Sequence, residues 1–398
     1  MSNSKNIKMI PLFILMLNLF IALLGQGMVI PILPDYLKQF NAGGTAAGYL
    51  VAAFGTAQFI FSPIGGRLSD RHGRRIMILS GLFLTVISDF IFAISHELIL
   101  LYIARVIGGI GIGLMVPSVL AYVADITTRE TRAKGMGSLS AAMNLGIVLG
   151  PGIGGIIAQY GIRVPYFFAA GLGLVATILT FILPETLSVE NRNISKTSEK
   201  QDSIVKQLME SFHKPYFHHL LLILVMTFGI VSFETVYSLF VEAKYGFTSK
   251  DVSILITLGA TIGIVVQMWL IDKAIRRLGE YNLIKLSLLV SAGALLLMLI
   301  RVNFIYLILI SSLYFAFNSF LRPTVTTLLS NEADSNEQGF ISGLNTTYTS
   351  MGNIIGPILA GSLFDKQINL PYIMGAFILF GTIFLVKTRK DSHRKEEA

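Results

Sequence analysis

The sequence predicts an all-α integral membrane protein with twelve transmembrane helices in two similar six-helix bundles, and three observations support this prediction. Hydrophobic residues make up 53% of the 398 positions and charged residues only 14%, whereas a soluble domain carries about 25% charged residues. Twelve apolar segments approach the length of about 20 residues that a helix needs to cross a bilayer. A polar stretch at 184–217 separates the first six segments from the last six.

The predicted spans follow from the apolar segments in chain order. They are residues 10–31, 46–65, 76–95, 98–122, 136–158, 164–183, 218–240, 252–271, 281–300, 303–325, 340–363 and 370–386. The polar break after the sixth span then defines the domain organisation. We expect an N-terminal six-helix bundle at 1–183, a linker loop at 184–217, and a C-terminal six-helix bundle with a short tail at 218–398.

Lysine and arginine are distributed unevenly between the two sets of predicted loops. The N-terminus, the loops after even-numbered spans and the C-terminal tail carry 22 of the 31 basic residues, the opposite loops carry six, and three lie within spans. Loops rich in Lys and Arg remain in the cytoplasm. The bias predicts a multi-pass protein of the cytoplasmic membrane with both termini and the linker loop in the cytoplasm, although the loop after span 10 carries no basic residue.

Two groups of residues recur in both halves in the same order. The first group, in span 5 and again 206 positions later in span 11, consists of Gly146, Gly150, Pro151 and Gly155, and of Gly352, Gly356, Pro357 and Gly361. The second group, after span 2 and again 202 positions later after span 8, consists of Asp70, Arg71, Arg74 and Arg75, and of Asp272, Lys273, Arg276 and Arg277. A duplicated six-span unit is typical of transporters whose two similar halves alternate access to a central site.

Several kinds of chemistry lack the residues that they need. The chain has no cysteine, which excludes disulfides, thiolate metal sites and a cysteine nucleophile. It contains no glycine-rich phosphate loop, so ATP is not expected to drive it directly. Its six histidines lack metal-ligand spacing, and no serine nucleophile elbow is present. We therefore expect a protein that is not an enzyme and uses neither a metal nor a cofactor.

The loop after span 2 has the most specific sequence of the chain. It reads Gly66-Arg67-Leu68-Ser69-Asp70-Arg71-His72-Gly73-Arg74-Arg75. Its arginines alone would keep the loop in the cytoplasm, but that purpose requires neither Asp70 nor glycines at positions 66 and 73. The whole string resembles the cytoplasmic loop motif of the major facilitator superfamily. The resemblance implies conformational gating through ion pairs with neighbouring helix ends, by Gly66, Asp70, Arg71, Gly73 and Arg74.

Span 5 carries small residues four positions apart, at Gly146 and Gly150, followed by Pro151. Small residues at this spacing let two helices approach closely, and proline removes a backbone donor and bends the helix. Tight packing alone would explain the pattern. With Gly155, the stretch also resembles the antiporter motif of drug:proton exchangers in the same superfamily, which implies a role in gating.

Four charged residues within spans bear on function, namely Asp89 in span 3, Arg105 in span 4, Glu234 in span 7 and Arg322 in span 10. A charge at the centre of a membrane helix costs about 2.5–3.5 kcal/mol on insertion scales, so such residues are functional by default. Arginine also cannot escape this cost by losing its proton. Three alternatives remain open: Arg105 snorkels to the outer surface, Glu234 only pairs structurally with an arginine, and Asp89 is structural.

Together these motifs resemble the twelve-span drug:proton antiporters, and most of all the Gram-positive multidrug efflux pumps among them, over nearly the whole chain. The resemblance implies the major facilitator fold. It implies that Glu234 exchanges a proton for a cationic drug, that Arg105 and Arg322 assist it, and that Asp89 can be recruited. It also implies a substrate pocket lined by Phe54, Gln58, Asn144, Tyr237, Phe315, Ser319 and Asn353. Ser319 departs from the family, because the related pumps carry an aspartate at this position.

The implied function is proton-coupled export of structurally diverse, amphipathic and often cationic drugs, including fluoroquinolones and dyes. The proton gradient would drive it without a cofactor. Its partners would be drug-like molecules, protons and the lipid bilayer, not nucleic acid, and the protein would be monomeric. A narrow-specificity exporter of a metabolite, sugar or lipid on the same fold is the alternative. An integral membrane enzyme or a transport-dead receptor is a second alternative, from a different class.

Overall fold

The computed structural model describes residues 9–187, 204–214, 216–300, 303–331 and 338–386, and the regular elements in these ranges are all helices. In the first half they are α1 Met9–Val29, α2 Leu33–Lys38, α3 Gly44–His72, α4 Arg74–Ile94, α5 Leu98–Ile126, α6 Arg129–Ile157 and α7 Val164–Thr180. In the second half they are α8 Ile204–Ser211, α9 Phe217–Tyr245, α10 Ser249–Trp269, α11 Ile271–Leu278, α12 Glu280–Leu297, α13 Phe304–Asn331, α14 Gln338–Lys366 and α15 Leu370–Thr382. The predicted all-α fold class is confirmed.

Each of the twelve predicted spans coincides with a helix. Within the described residues, nine helices are long and apolar enough to cross a membrane, and α7 and α15 are shorter apolar helices. The helix over the eleventh predicted span, α14, is more polar and contains Asn345, Thr346, Thr347 and Asn353. The chain is therefore a multi-pass membrane protein, and the count of twelve spans stays a prediction.

Several helices continue past the predicted ends of their apolar segments. The structure extends α3 to His72 instead of 65, begins α6 at Arg129 instead of 136, and extends α13 to Asn331 instead of 325. A helix that leaves the hydrocarbon layer keeps its backbone hydrogen bonds while its side chains meet water, so apolar composition underestimates its length. Part of the predicted linker loop is likewise helical, in α8, whereas its residues 188–203 lie outside the described residues.

Two compact units divide the chain, one of residues 1–41 and 50–200 and one of residues 42–49 and 201–398. In the first unit α1 packs against α6 and α7, and α4 packs against α5 and α7. In the second unit α9 packs against α14 and α15, and α12 packs against α13 and α15. When the predicted spans are numbered one to six in each unit, span 1 packs against spans 5 and 6, and span 3 packs against spans 4 and 6, in both units.

Glycines in α6 and α14 allow the corresponding helix pairs to approach closely. A Cβ atom at Gly150 would lie 2.7 Å from the carbonyl oxygen of Leu24 in α1, and one at Gly356 would lie 2.9 Å from that of Phe228 in α9. Real Cβ atoms do not approach other atoms so closely. The recurring glycines thus serve the same packing purpose in both units, as small residues commonly do between membrane helices.

Candidate functional site

The middle of α9 carries an aromatic and an acidic residue side by side. Phe233 is buried, and its ring centroid lies 4.2 Å from that of Tyr314 and 4.9 Å from that of Tyr237. The Tyr237 and Ser311 hydroxyl oxygens lie 2.7 Å apart and share a hydrogen bond. Because Phe233 and Tyr237 are four residues apart they lie on the same helix face, and these contacts fix the orientation of α9. The next residue, Glu234, points to an adjacent face.

Glu234 lies near the middle of α9, and its side chain is exposed. It interacts electrostatically with Arg322 of α13, which is also exposed. Among the ion pairs within the described part of the chain, none joins these two side chains. A carboxylate that is influenced by an arginine without being bonded to it keeps its oxygens available to accept a hydrogen bond, a proton or a cation.

One face of α13 presents Tyr314, Asn318 and Arg322, spaced four residues apart. Tyr314 interacts electrostatically with Glu234. The Tyr314 hydroxyl and the Asn318 Oδ1 atom are buried and have no hydrogen-bond partner among the described residues. Since buried polar atoms are nearly always hydrogen-bonded, both are available to a polar group that enters this site. The sequence prediction assigned neither residue to the site, although their spacing from Arg322 is a signal that would have found them.

Phe315 and Ser319, two predicted pocket residues, face α10. A Cβ atom at Gly259 would collide with the Phe315 ring, and one at Gly263 would lie 3.6 Å from the Ser319 Cβ. The Ser319 hydroxyl donates to the Ala316 carbonyl oxygen at 2.7 Å. Both side chains are half-buried. The structure therefore places position 319 at a contact between helices, with its hydroxyl already hydrogen-bonded.

The second unit thus holds six of the predicted site residues. Glu234 and Tyr237 lie on α9, where Tyr237 is buried, and Arg322 lies on α13 with Phe315 and Ser319. Asn353 is half-buried on α14, next to the glycine that packs this helix against α9. Of these, the structure brings Glu234 and Arg322 within electrostatic reach of each other.

Arg105 lies within an aromatic cluster of the first unit. Its guanidinium carbon lies 4.8 Å from the centroid of the Phe92 ring, which stacks on Tyr166 at 4.7 Å. Tyr36 completes the cluster, with its ring 5.1 Å from that of Tyr166 and its hydroxyl donating to the Phe92 carbonyl oxygen. Asp89 is the acid with which Arg105 interacts electrostatically. A cation over an aromatic ring and near a carboxylate is stabilised inside the unit, which accounts for Arg105 without snorkelling.

Phe54 and Gln58 lie on α3 where this helix packs against the glycines of α5. A Cβ atom at Gly109 would collide with the carbonyl oxygen of Phe54, and one at Gly113 would lie 3.1 Å from that of Gln58. Both side chains are half-buried, while Asn144 is exposed on α6. The glycines hold the backbone of α3 close to α5 and thereby fix the positions from which Phe54 and Gln58 extend.

The predicted gating loop contains an ion-pair network around Arg74. The Arg74 guanidinium donates to the carboxylate of Asp70 and, at 3.3 Å, to that of Asp125 at the end of α5. Arg71 is exposed, and Gly66 lies near Pro117 of α5. Arg74 of the loop therefore contacts a neighbouring helix end, and Asp125 is a participant that the sequence prediction missed.

A second missed residue, Glu185, caps the start of α4. Its carboxylate accepts hydrogen bonds from the backbone N–H groups of Arg74 and Arg75, at 2.9 and 3.1 Å. Gly73 before them has a φ angle of 118°, a conformation that glycine adopts at no steric cost. A Cβ atom at Gly73 would collide with the Glu185 carboxylate. The glycine at position 73 thus serves both the turn and the cap.

Residues of the span-5 motif contact α1 through one helix face. Gly150 and Gly154 lie four residues apart there, and a Cβ atom at Gly154 would collide with the carbonyl oxygen of Met28. Gly155, which the motif singles out, is buried, as is Pro151. Gly154 continues the spacing of four that the sequence displays, and the prediction missed it because it followed the motif instead of the spacing.

Each unit contains, within its helices, one acid that interacts electrostatically with one arginine. Asp89 interacts with Arg105 in the first unit, and Glu234 interacts with Arg322 in the second. Within the described ranges, no three His, Asp or Glu side chains are grouped so that they could hold a metal ion. A single carboxylate near one arginine suits reversible binding of a proton or an organic cation.

Comparisons with known proteins match this architecture. The family profile described as Major Facilitator Superfamily matches residues 15–357. The solved structure of the nucleoside transporter NupG is similar with a TM-score of 0.76 and 13% identity, covering 95% of this chain and all of that one. A bacterial homolog of the human lysosomal transporter Spinster is similar with a TM-score of 0.73 and 15% identity, covering 96% of this chain and 95% of that one. At such identities the likeness is one of fold.

Relatives in sequence extend over nearly the whole chain. Multidrug resistance proteins 2 and 1 of Bacillus subtilis are 40% and 42% identical over 392 and 390 residues, which is 98% of each chain compared. The quinolone resistance protein NorA of Staphylococcus aureus is 39% identical over 384 residues, 96% of this chain and 97% of that protein. Together with the family profile, these identities establish that the chain belongs to the Major Facilitator Superfamily.

Proposed function

We propose that this protein is a proton-coupled antiporter that exports structurally diverse, amphipathic and often cationic drugs across the cytoplasmic membrane. The observation that supports this most is Glu234, an exposed carboxylate on a membrane-spanning helix, within electrostatic reach of Arg322 but not bonded to it. An ionisable residue within a membrane helix is expensive and marks a substrate or proton pathway.

The surroundings of Glu234 fit lipophilic cations. Phe233, Tyr314 and Tyr237 form a rigid aromatic cluster on the adjacent face of α9 and on α13. These rings are buried and position the two helices, and the exposed carboxylate next to them gives the site a preference for positive charge. A proton and a cationic drug would then compete for the same carboxylate, so that binding of one releases the other.

The names of the relatives agree with this proposal. Proteins about 40% identical over nearly the whole chain are named for multidrug and quinolone resistance. We therefore propose fluoroquinolones and cationic dyes as substrates. We propose that the substrate contacts Phe54, Gln58, Asn144, Tyr237, Phe315, Ser319 and Asn353, and that Arg105 and Asp89 assist proton coupling.

The proposed orientation follows from the charge bias of the loops. With 22 basic residues on one side and six on the other, both termini and the linker would lie in the cytoplasm. Gly66, Asp70, Arg71, Gly73 and Arg74 would then control conformational exchange from the cytoplasmic side, together with the span-5 motif. The proton gradient would be the energy source, without a cofactor, and a monomer would suffice.

Drug-driven proton movement in proteoliposomes tests the proposal. The purified protein is reconstituted with a pH-sensitive dye in the lumen, and a fluoroquinolone, a cationic dye and a neutral sugar are added in turn. We expect the first two compounds to drive protons in the opposite direction and the sugar to drive none. Protein-free vesicles and the Glu234→Gln variant serve as controls. Proton movement with a single compound class would favour the narrow-specificity exporter, and none with any compound would refute antiport.

A further inference from the structure

The short helix α11 and the end of α10 form a surface that the transport proposal does not use. We propose that this surface binds the headgroups of anionic phospholipids. It consists of Met268 and Trp269 at the end of α10 and of Ile271–Leu278, which is α11. The proposal does not depend on the transported substrate, and the experiment that tests it requires no transport.

The position of α11 in the chain places it at a membrane surface. The helices before and after it, Ser249–Trp269 and Glu280–Leu297, are both long and apolar enough to cross a membrane. Residues 270–279 join their ends, so they lie where two spans leave the hydrocarbon layer. This is the side of the membrane on which the loops carry the excess of lysine and arginine.

The residues of α11 divide into two opposite faces. The apolar face is formed by positions spaced three and four apart, which are Ile271, Ala274, Ile275 and Leu278. The other face carries all the charges, which are Asp272, Lys273, Arg276 and Arg277. All four charged side chains are exposed, and no residue of the helix is buried. A helix with this division lies in the plane of a membrane interface, with its apolar face in the acyl boundary.

Trp269 and Met268 add two large exposed apolar side chains directly before α11. Each is 71% exposed, which would be costly for such large apolar side chains in water. Tryptophan is enriched where hydrocarbon meets headgroups, because its ring is apolar and its indole N–H is polar. Trp269 is also the sole tryptophan of the chain, so its fluorescence reports this site alone.

The charged face fits an anionic headgroup. It carries three basic residues and one acid, and no ion pair within the described part of the chain involves them. Each Lys or Arg near an anionic membrane surface increases binding by about fivefold. A soluble acidic partner would meet the basic face but would leave Trp269 and Met268 uncovered. A phospholipid covers both, since its phosphate meets the bases and its chains meet the apolar residues.

Lipid-selective quenching of Trp269 tests the proposal in the full-length protein. The protein is reconstituted in mixed vesicles of phosphatidylcholine and phosphatidylglycerol, with bromine on the acyl chains of one lipid or the other at the same mole fraction. We expect brominated phosphatidylglycerol to quench Trp269 more strongly than brominated phosphatidylcholine does. The triple variant K273Q/R276Q/R277Q is expected to lose this difference, and R277Q alone to reduce it about threefold to fivefold.

Matched variants separate headgroup binding from general charge effects. R132Q/K134Q removes exposed basic residues near the start of α6 and is expected to leave the difference unchanged. Asp272→Asn is expected to increase it, because it removes the one acid of the face. Unchanged quenching of the triple variant by brominated phosphatidylcholine would show that Trp269 still faces lipid and that the fold is intact.

Two results would overturn the proposal. One is equal quenching by the two brominated lipids in the unaltered protein. The other is a zero-length carbodiimide cross-link in the vesicles between Lys273 and a carboxylate of a second copy or of residues 332–337, which include Glu332, Asp334 and Glu337. Such a link would assign the basic face to protein carboxylates instead of lipid.

Discussion

The loops that follow the second and the eighth predicted spans share a charge pattern but use it differently. After α3, Arg74 is bonded to Asp70 and Asp125, and Glu185 caps the next helix. After α10, the equivalent charges of α11 are exposed and join no ion pair within the described part of the chain. The two loops therefore share their charged residues but not the acidic residue of a neighbouring helix that binds them. At offsets of 202 and 206, Asp125 corresponds to Thr327 and Asn331, neither of which is an acid.

The acid and arginine inside each unit show a similar contrast. Arg105 lies over the ring of Phe92 and interacts electrostatically with the half-buried Asp89, whereas the Glu234 side chain is exposed near Arg322. A half-buried acid has fewer possible partners than an exposed acid, which can exchange its partner. We therefore expect Glu234 to take a larger part in proton exchange than Asp89.

The largest effect is expected from Glu234→Gln, with Asp89→Asn for comparison. Glutamine cannot hold or release a proton, so E234Q should abolish drug-driven proton movement in proteoliposomes. Its affinity for a monovalent cationic dye should fall about tenfold to hundredfold, or about 1.4–2.8 kcal/mol. D89N should reduce proton movement but retain it, because Asp89 is less exposed than Glu234 and interacts electrostatically with Arg105. Transport by E234Q at the unaltered rate under a pH gradient, or a greater loss in D89N, would break the comparison.

A smaller effect is expected from Gly150→Ala, with Gly137→Ala in the same helix as the matched control. A Cβ atom at Gly150 would lie 2.7 Å from the Leu24 carbonyl oxygen, whereas one at Gly137 meets nothing within 4 Å. Overpacking should lower the stability of G150A by about 1–3 kcal/mol, while G137A gains up to about 1 kcal/mol from helix propensity. Thermal unfolding in detergent measures both. Equal unfolding temperatures would show that α1 and α6 separate freely.

The third pair is Gly73→Ala and Gly279→Ala, which occupy equivalent turns before α4 and α12. Both glycines have positive φ angles, 118° and 73°, so both substitutions should cost about 1–3 kcal/mol in backbone strain. Only a Cβ at Gly73 collides with Glu185, and G73A should lose roughly 1 kcal/mol more through the displaced cap. Faster amide hydrogen exchange at Arg74 and Arg75 in G73A would confirm this. Unchanged exchange there would show that Glu185 follows the displaced backbone.

The smallest effect is expected from Ser319→Asp, with Ser319→Asn as the control. An aspartate at 319 would lie three residues before Arg322 on the same helix, and residues at this spacing are neighbours. It would add a negative charge near a site that otherwise depends on Glu234. Export of dicationic compounds relative to neutral ones should rise about threefold in S319D, corresponding to less than 1.4 kcal/mol. Reduced expression with an unchanged substrate profile would indicate that position 319 only packs against α10.

The positions of the helices could be predicted from the sequence because hydrocarbon demands apolar residues, and all twelve predicted spans are helical. Helix ends could not be predicted equally well, because no such demand acts beyond the hydrocarbon layer, as α3 and α6 show. The position of Glu234 on a helix inside the membrane was also predictable from composition. Tyr314, which interacts electrostatically with Glu234, could also have been predicted, since it lies eight residues before Arg322 on the same helix face.

Long-range partners could not be predicted. Glu185 bonds to the backbone 111 residues earlier, and the rings around Arg105 come from three helices whose sequence spacing carries no common signal. Such contacts depend on how helices are placed side by side, which periodicity within one helix does not encode. The orientation of Ser319 toward α10 could not be predicted either, because it depends on a glycine in another helix.

The carboxylate of Glu185 also binds the chain that follows it. Besides capping α4, it accepts hydrogen bonds from the backbone N–H groups of Thr186 and Leu187, at 3.0 and 3.1 Å, and the Thr186 hydroxyl donates to Asp125 at 2.8 Å. The end of the first bundle is therefore tied to that bundle before the connecting stretch begins. Because this end is fixed, insertions, deletions and substitutions in the connecting stretch can be tolerated without disturbing the helices before it.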